Sequence, residues 1–396
     1  MTGDLPMTGL VARIEAATPP GRDRAVDAVR ALAILGVVGG HWLVTALVAD
    51  SGTVRGASPL TAMPHLTPVS WVFQTLAVFF LVGGMVAAGS WSSARKRGVP
   101  YGRWVGGRLG RLFRPVAAVL VVWTLAAGAM LTAGVGESTV RALGKLVWSP
   151  LWFLLVFAAL TALTPLVARL HPLWPLVVVL HVDLVRLGPG GPRELGWVNV
   201  VAGWLVPYCL GALVARGGLR GRTSRWALLL GGAVAATTLV LWAGYPASMV
   251  GVPGGRISNL DPPSLAAVTF GLAQCGAALL LLGPLRRVLR RPAAWAVVAV
   301  VNLAAMTVFL WHQTAMIVVT ASALLLADGP LPGLHTVPDD AGWVVARLLW
   351  LPVFALALLG CWAVFRGYEQ GGRRTGGGSL VVRESAPERK GWARRA

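Results

Sequence analysis

Charge is scarce in this chain of 396 residues, and acidic charge scarcest: 15 Asp and Glu stand against 35 Lys and Arg. Charged side chains make up 13% of the sequence, apolar ones 56%, and mean hydropathy is +0.69. That balance excludes a soluble domain and reads as a polytopic membrane protein. Cysteine is also rare. Cys209, Cys275 and Cys361 each fall inside an apolar run without metal-ligand spacing, so they read as small buried hydrophobes; no disulfide framework and no metal site are expected. Met1 to Pro20 has no continuous apolar core before a small-residue cleavage site, so no signal peptide is expected. A net charge of +20 would suit a nucleic-acid partner. The basic residues, however, lie in short segments between apolar runs, which points to the lipid bilayer instead and to no nucleic acid.

Ten apolar segments predict an all-α, polytopic helical bundle. They are Asp27–Val48, Leu66–Ser90, Pro115–Ala133, Leu151–Ala168, Leu173–Leu187, Trp197–Ala215, Trp226–Tyr245, Leu265–Gly283, Ala293–Leu326 and Gly342–Phe365. The fifth is short and holds Pro175, His181 and Asp183, and the ninth is over-long for one crossing. On ten spans, 28 of the 35 basic residues fall on one side and six on the other, with Arg347 near the start of the last span. Positive charge marks the cytoplasmic side, so both termini are expected there, in a multi-pass protein of the cell membrane. The division is 1–24 as a cytoplasmic segment, 25–366 as the membrane domain and 367–396 as a basic, Gly- and Arg-rich disordered tail against anionic lipid. Neither an appended soluble domain nor an internal repeat is visible. The outer connections Asp50–Thr67 and Pro246–Ser264 are rich in Pro, Gly and Ser and suit the cover of a site.

Arg30 and His41 stand out on the first span. From Ala31 to Ala49, His41 is the only strongly polar side chain. Eleven residues at ~100° each bring the two to within about 20° of one face, roughly 16 Å apart along the axis. A histidine at that depth points to a functional site, and a packing hydrogen bond to a neighbouring helix is the alternative. Arg108, Arg111 and Arg114 recur every third residue at the start of the third span. Their guanidinium forks suit a phosphate or pyrophosphate, or else anchor the chain to lipid phosphates. In the ninth span His312 follows Asn302 by ten residues, within Val308-Phe309-Leu310-Trp311-His312-Gln313; a polar interhelical contact is the alternative to a site. In the second span, Phe79-Phe80-Leu81-Val82-Gly83-Gly84 places adjacent glycines where a helix or a substrate can come close.

The arginine–histidine spacing, the Phe-Phe-Leu-Val-Gly-Gly run, Arg-x-x-Arg-Leu-x-x-Pro at Arg108 to Pro115, Leu-Trp-Phe-Leu from Leu151 and Leu-Trp-His from Leu310 occur in that order. Together they resemble the acyltransferase family 3 group of integral membrane proteins, which O-acylate surface polysaccharides, glycolipids and related carbohydrates. The resemblance runs from about Arg24 to Phe365. Gly83-Gly84 departs from the Ser-Gly of many members, and the hydrolase-like domain fused to some members is not expected here. The resemblance implies an O-acyltransferase that takes acyl-CoA, expected to be acetyl-CoA, as donor and a carbohydrate or glycolipid hydroxyl as acceptor. His41 would be the general base or acyl carrier, Arg30 its companion, and Arg108 and Arg111 the phosphate clamp, with Arg114 beside them. His312, Asn302 and Asp183 are further candidates. A homo-oligomer is compatible with the sequence. The competing reading is a transporter or flippase in which His41, Asp183 and His312 relay protons. It lacks the twofold repetition of hydropathy that such folds show.

Overall fold

A computed structural model describes residues 5–370 except 51, 189, 190 and 256. Helix α1 spans Leu5–Ala16 and α2 Arg24–Val44. A two-stranded hairpin follows, β1 Ala46–Asp50 antiparallel to β2 Thr53–Ala57, with Ala46 opposite Ala57 and Asp50 opposite Thr53. Then come α3 Leu76–Lys96, α4 Tyr101–Thr132, α5 Glu137–Trp148, α6 Leu151–Ala162, α7 Leu173–Leu187 and α8 Val198–Ala215. The chain ends with α9 Arg222–Trp242, α10 Leu265–Val288, α11 Pro292–Leu303, α12 Ala305–Leu326 and α13 Ala341–Gln370. Among the described residues, nine helices are long and apolar enough to cross a membrane, so the fold is the expected all-α polytopic bundle. The fifteen-residue α7, the fifth expected span, is about 22 Å long at 1.5 Å per residue and is not one of the nine.

Four expected boundaries move, each for a local reason. The first span stops at Val44, where Thr45 takes an extended backbone, and the apolar residues beyond it form β1. The second main helix begins at Leu76, because Pro64, Pro68 and the non-helical Gln74 divide the preceding residues into short turns. The fourth span is preceded by α5, broken from α6 at Ser149 and Pro150. The ninth is two helices that meet at Ala304, which accounts for its length. The last helix runs on to Gln370. Residues 371–396, most of the segment expected as a tail, lie outside the described residues.

Packing is tightest where small residues meet. Helix α3 lies along α8, α9 along α10 and α12 along α13. A Cβ added at Gly84 would run into the Tyr208 carbonyl, and one at Gly211 into that of Leu81. The glycines therefore let α3 and α8 approach backbone to backbone, where dispersion is strongest in lipid. One apolar core joins Val38 and Trp42 of α2, Phe80 and Leu81 of α3, Phe153 of α6 and Phe309 and Trp311 of α12.

Candidate active site

Helices α2, α11 and α12 set the geometry of the site. Helix α2 packs against both halves of the broken ninth span, and two polar rungs tie them together. At the lower rung, Arg30 Nε donates to Asn302 Oδ1 at 2.6 Å and an Arg30 NH2 group donates to Asp27 at 2.9 Å. Asn302 Nδ2 in turn donates to the Asp27 carbonyl at 2.8 Å. At the upper rung the His41 and His312 rings lie 5.1 Å apart, centroid to centroid. Four residues singled out in the sequence are thus brought together in two pairs. Arg30 and His41 belong to one face of α2, as their spacing predicts, but to different rungs.

His312 is fully buried, and its Nδ1 sits 2.6 Å from the Phe309 carbonyl. A carbonyl only accepts, so the proton is on Nδ1 and Nε2 carries a lone pair. No described residue bonds that Nε2. A buried acceptor left open is costly, and it leaves this nitrogen free to take a hydrogen bond from a donor that approaches it. The neighbouring Trp42 indole donates to the His312 carbonyl at 3.0 Å and so fixes α2 against α12 at the level of the two rings.

His41 lines a cavity of about 500 Å³, the size range of small-molecule sites. Phe153, Phe309, Trp152 and Gln313 form much of its wall. Gly56 and Ala57 at the end of β2, Ser58, and Val250, Gly251, Pro253, Leu260 and Asp261 also line it, so both Asp50–Thr67 and Pro246–Ser264 contribute to its wall. The second of these segments is strapped down. Trp71 Nε1 donates to the Ala247 carbonyl at 2.7 Å, the Met249 amide donates to Ser70 Oγ at 2.9 Å, and the fully buried Asn259 donates to the Pro246 and Ser248 carbonyls at 2.6 and 2.9 Å.

The arginine corner is separate from that cavity. None of Arg30, Arg108, Arg111 and Arg114 lines it. Arg108 is half-buried, lies over the Trp104 ring at 5.3 Å and reaches the Val86 carbonyl at 3.4 Å, a weak hydrogen bond. The Tyr208 hydroxyl is 2.8 Å from Thr164 Oγ1. Arg111 and Arg114 are exposed. Asp183 serves neither place. It accepts from Arg186 Nε at 2.8 Å, Asn199 Nδ2 at 2.9 Å, the Tyr245 hydroxyl at 3.0 Å and the Leu265 amide at 2.7 Å, pinning α7, α8 and the start of α10. Burial pushes the Tyr245 phenol up, and the Asp183 carboxylate pushes it further. No group of His, Cys, Asp and Glu among the described residues could hold a metal ion.

A model of the acyltransferase domain family (acyltransferase family 3) matches residues 23–366, nearly the whole chain. The chain belongs to that family. It is a membrane acyltransferase, and both histidine-bearing helices lie within the matched region. No curated protein and no solved structure matches it. Two residues that the structure places at or next to this site were not candidates in the sequence. Gln313 lines the cavity with its Oε1 buried and unbonded among the described residues, and its signal was a second polar residue beside His312. Arg347, counted in the sequence only as the basic residue near the start of the last span, is 1% exposed and donates to the carbonyls of Trp42, Thr45 and Gly333.

Proposed function

We propose that this chain moves an acyl group, acetyl in the first instance, from cytoplasmic acyl-CoA to a hydroxyl of a carbohydrate or glycolipid acceptor at the outer face of the cell membrane. The observation that carries the reading is His41 at the wall of a cavity that none of Arg30, Arg108, Arg111 and Arg114 lines, with the buried His312 ring 5.1 Å behind it. The acceptor enters that cavity. His41 takes the hydroxyl proton as the oxygen attacks the thioester carbonyl carbon, an ester C–O bond forms, the C–S bond breaks, and the proton passes to the departing thiolate. Histidine, with an ordinary pKa near 6.5, suits both proton transfers near neutral pH. His312, its proton held on Nδ1 by Phe309, offers Nε2 as acceptor to the His41 imidazolium that forms between them. Gln313 Oε1 is placed to accept a hydrogen bond from a second acceptor hydroxyl. Arg108 and Arg111, with Arg114 beside them, engage the donor's phosphates from the cytoplasmic side. The Arg30–Asp27–Asn302 contacts hold α2 in register rather than touching substrate.

Purified protein in proteoliposomes, given acetyl-CoA and membranes from cells lacking the chain, is expected to acylate a surface glycan or lipid. His41→Ala is expected to abolish transfer, and Arg108→Ala/Arg111→Ala to weaken acetyl-CoA binding. Transfer at the normal rate by His41→Ala refutes the mechanism. Undiminished donor affinity in the double variant refutes the clamp.

A further inference from the structure

The arginine corner and the His41 cavity are joined by a continuous column of aromatic rings. Phe309 lies 5.8 Å from His312 and 4.7 Å from Phe153, centroid to centroid. Phe153 lies 5.4 Å from Phe79, Phe79 lies 5.0 Å from Phe157, and Phe157 lies 6.4 Å from Tyr208, whose carbonyl abuts Gly84, two residues before the Val86 carbonyl that Arg108 reaches. The crossings of Phe153 with Phe309 and with Phe79 are near perpendicular, at 82° and 85°, the edge-to-face arrangement in which rings interlock. Phe153 and Phe309 face the cavity. Phe79 and Phe157 stand behind them and are only partly buried. Gly83 makes room for this stack, because a Cβ there would strike the Phe157 ring.

On the reading given above, a thioester bound by its phosphates at Arg108 must bring its acyl carbon to His41 through this column. We infer that Phe79, Phe153 and Phe157 form an aromatic gate between the donor corner and the His41 cavity, and that it restricts the transferred group to short acyl chains. Rings that interlock edge to face leave no slot for a long chain. Each extra methylene must displace packed ring surface, and one methylene in a shaped apolar pocket is worth a factor of about 10 to 200 in selectivity. Gly83, with no Cβ to displace it, keeps the Phe157 ring in the column.

The test uses full-length protein in proteoliposomes and follows release of free coenzyme A thiol from acetyl-CoA, butyryl-CoA and octanoyl-CoA. The wild-type chain is expected to consume acetyl-CoA and to discriminate strongly against octanoyl-CoA. Phe157→Ala and the milder Phe157→Leu are expected to raise the butyryl-to-acetyl ratio of kcat/KM about tenfold or more. Phe79→Leu is the companion variant should Phe157→Ala fail to fold. A ratio unchanged in Phe157→Leu and Phe79→Leu, while acetyl-CoA is still consumed, overturns the gate and leaves the proposed function standing. A wild-type chain that takes octanoyl-CoA as readily as acetyl-CoA does the same. No consumption of any acyl-CoA overturns the proposed function, and the gate with it.

Discussion

Replacing Arg347 by Met is expected to damage catalysis far more than donor binding. The guanidinium is almost wholly buried, and no carboxylate forms an ion pair with it among the described residues. Its partners are carbonyls and rings. Nε reaches the Trp42 carbonyl at 2.6 Å, the two NH2 groups reach those of Gly333 and Thr45, and the charge lies 4.7 Å from the Phe354 ring centre. Trp42 and Thr45 are at the C-terminal end of α2, where carbonyls lack intrahelical donors and the helix dipole favours a cation. Methionine fills nearly the same volume but leaves three buried acceptors open, at about 1–3 kcal/mol each. Release of a desolvated cation offsets part of that, since burying such an ion costs several kcal/mol. A net loss of about 2–4 kcal/mol follows. The same contacts hold the turn that carries His41, and Trp42 is also the residue bonded to His312. A displacement near 1 Å at a reacting group costs on the order of 100-fold in rate. Acetyl-CoA turnover per folded molecule should therefore fall about 100-fold while acetyl-CoA affinity stays the same, with folded fraction read by thermal size-exclusion. Arg347→Lys keeps the charge but not the fork and should recover only part of the rate. Unchanged turnover per folded molecule in Arg347→Met refutes this role of Arg347.

Three further outcomes are expected. Gly84→Ala pushes a methyl into the Tyr208 carbonyl and should cost about 1–3 kcal/mol, seen as a lower melting temperature, whereas Gly89→Ala, with open space at that position, should be neutral. Asp23 caps α2 through the Ala25 amide and pairs with Arg286 at 2.5 Å; its alanine variant should lose about 1 kcal/mol, mostly the cap, because the ion pair is well exposed. Burial pushes the Asp23 carboxyl up, but Arg286 and the Ala25 and Val26 amides outweigh it and hold it below its usual range. A lowered folded value stabilises above the unfolded pKa, so this contribution should be full at neutral pH and fade below about pH 4; an Asp23→Ala difference that persisted at lower pH would contradict it. Gln313→Leu should leave acetyl-CoA affinity intact and slow transfer to the glycan acceptor about three- to tenfold, the worth of one hydrogen bond; equal transfer rates would remove Gln313 from the acceptor site.

Most of the bundle was legible because apolar runs of about twenty residues have few alternatives in lipid. The errors fell where backbone hydrogen bonding, not hydropathy, decides. Ala46–Asp50 is as apolar as the helix before it, yet Arg347 takes the Thr45 carbonyl and the chain turns into a strand whose partner, Thr53–Ala57, is polar. No local pattern announces that exchange, since Thr45 and Arg347 are 302 residues apart. His41 and His312 were legible as isolated polar residues in apolar helices. Their pairing was not, because it depends on which helices touch. Gln313 and Phe153 lay inside motifs already noticed but became part of a site only once the cavity was drawn through them.

The pairing of helices gives a reason for the two spacings themselves. Arg30 precedes His41 by eleven residues and Asn302 precedes His312 by ten, and α2 runs alongside α11 and α12 in the same direction. At 1.5 Å per residue the first offset is about 16 Å; the second crosses the break at Ala304, yet both pairs form. Two helices whose polar residues share an offset can form both contacts at once only in one register; a slip of one turn, about 5.4 Å, would break both. The lower rung, Arg30 to Asn302, is a charge-assisted hydrogen bond at 2.6 Å in a setting where unpaired polar groups are expensive. It therefore fixes the register that leaves the two imidazoles 5.1 Å apart. Shortening that lower contact's reach with Asn302→Ala should thus disturb a rate set at rings some 15 Å away, although Asn302 touches neither of them.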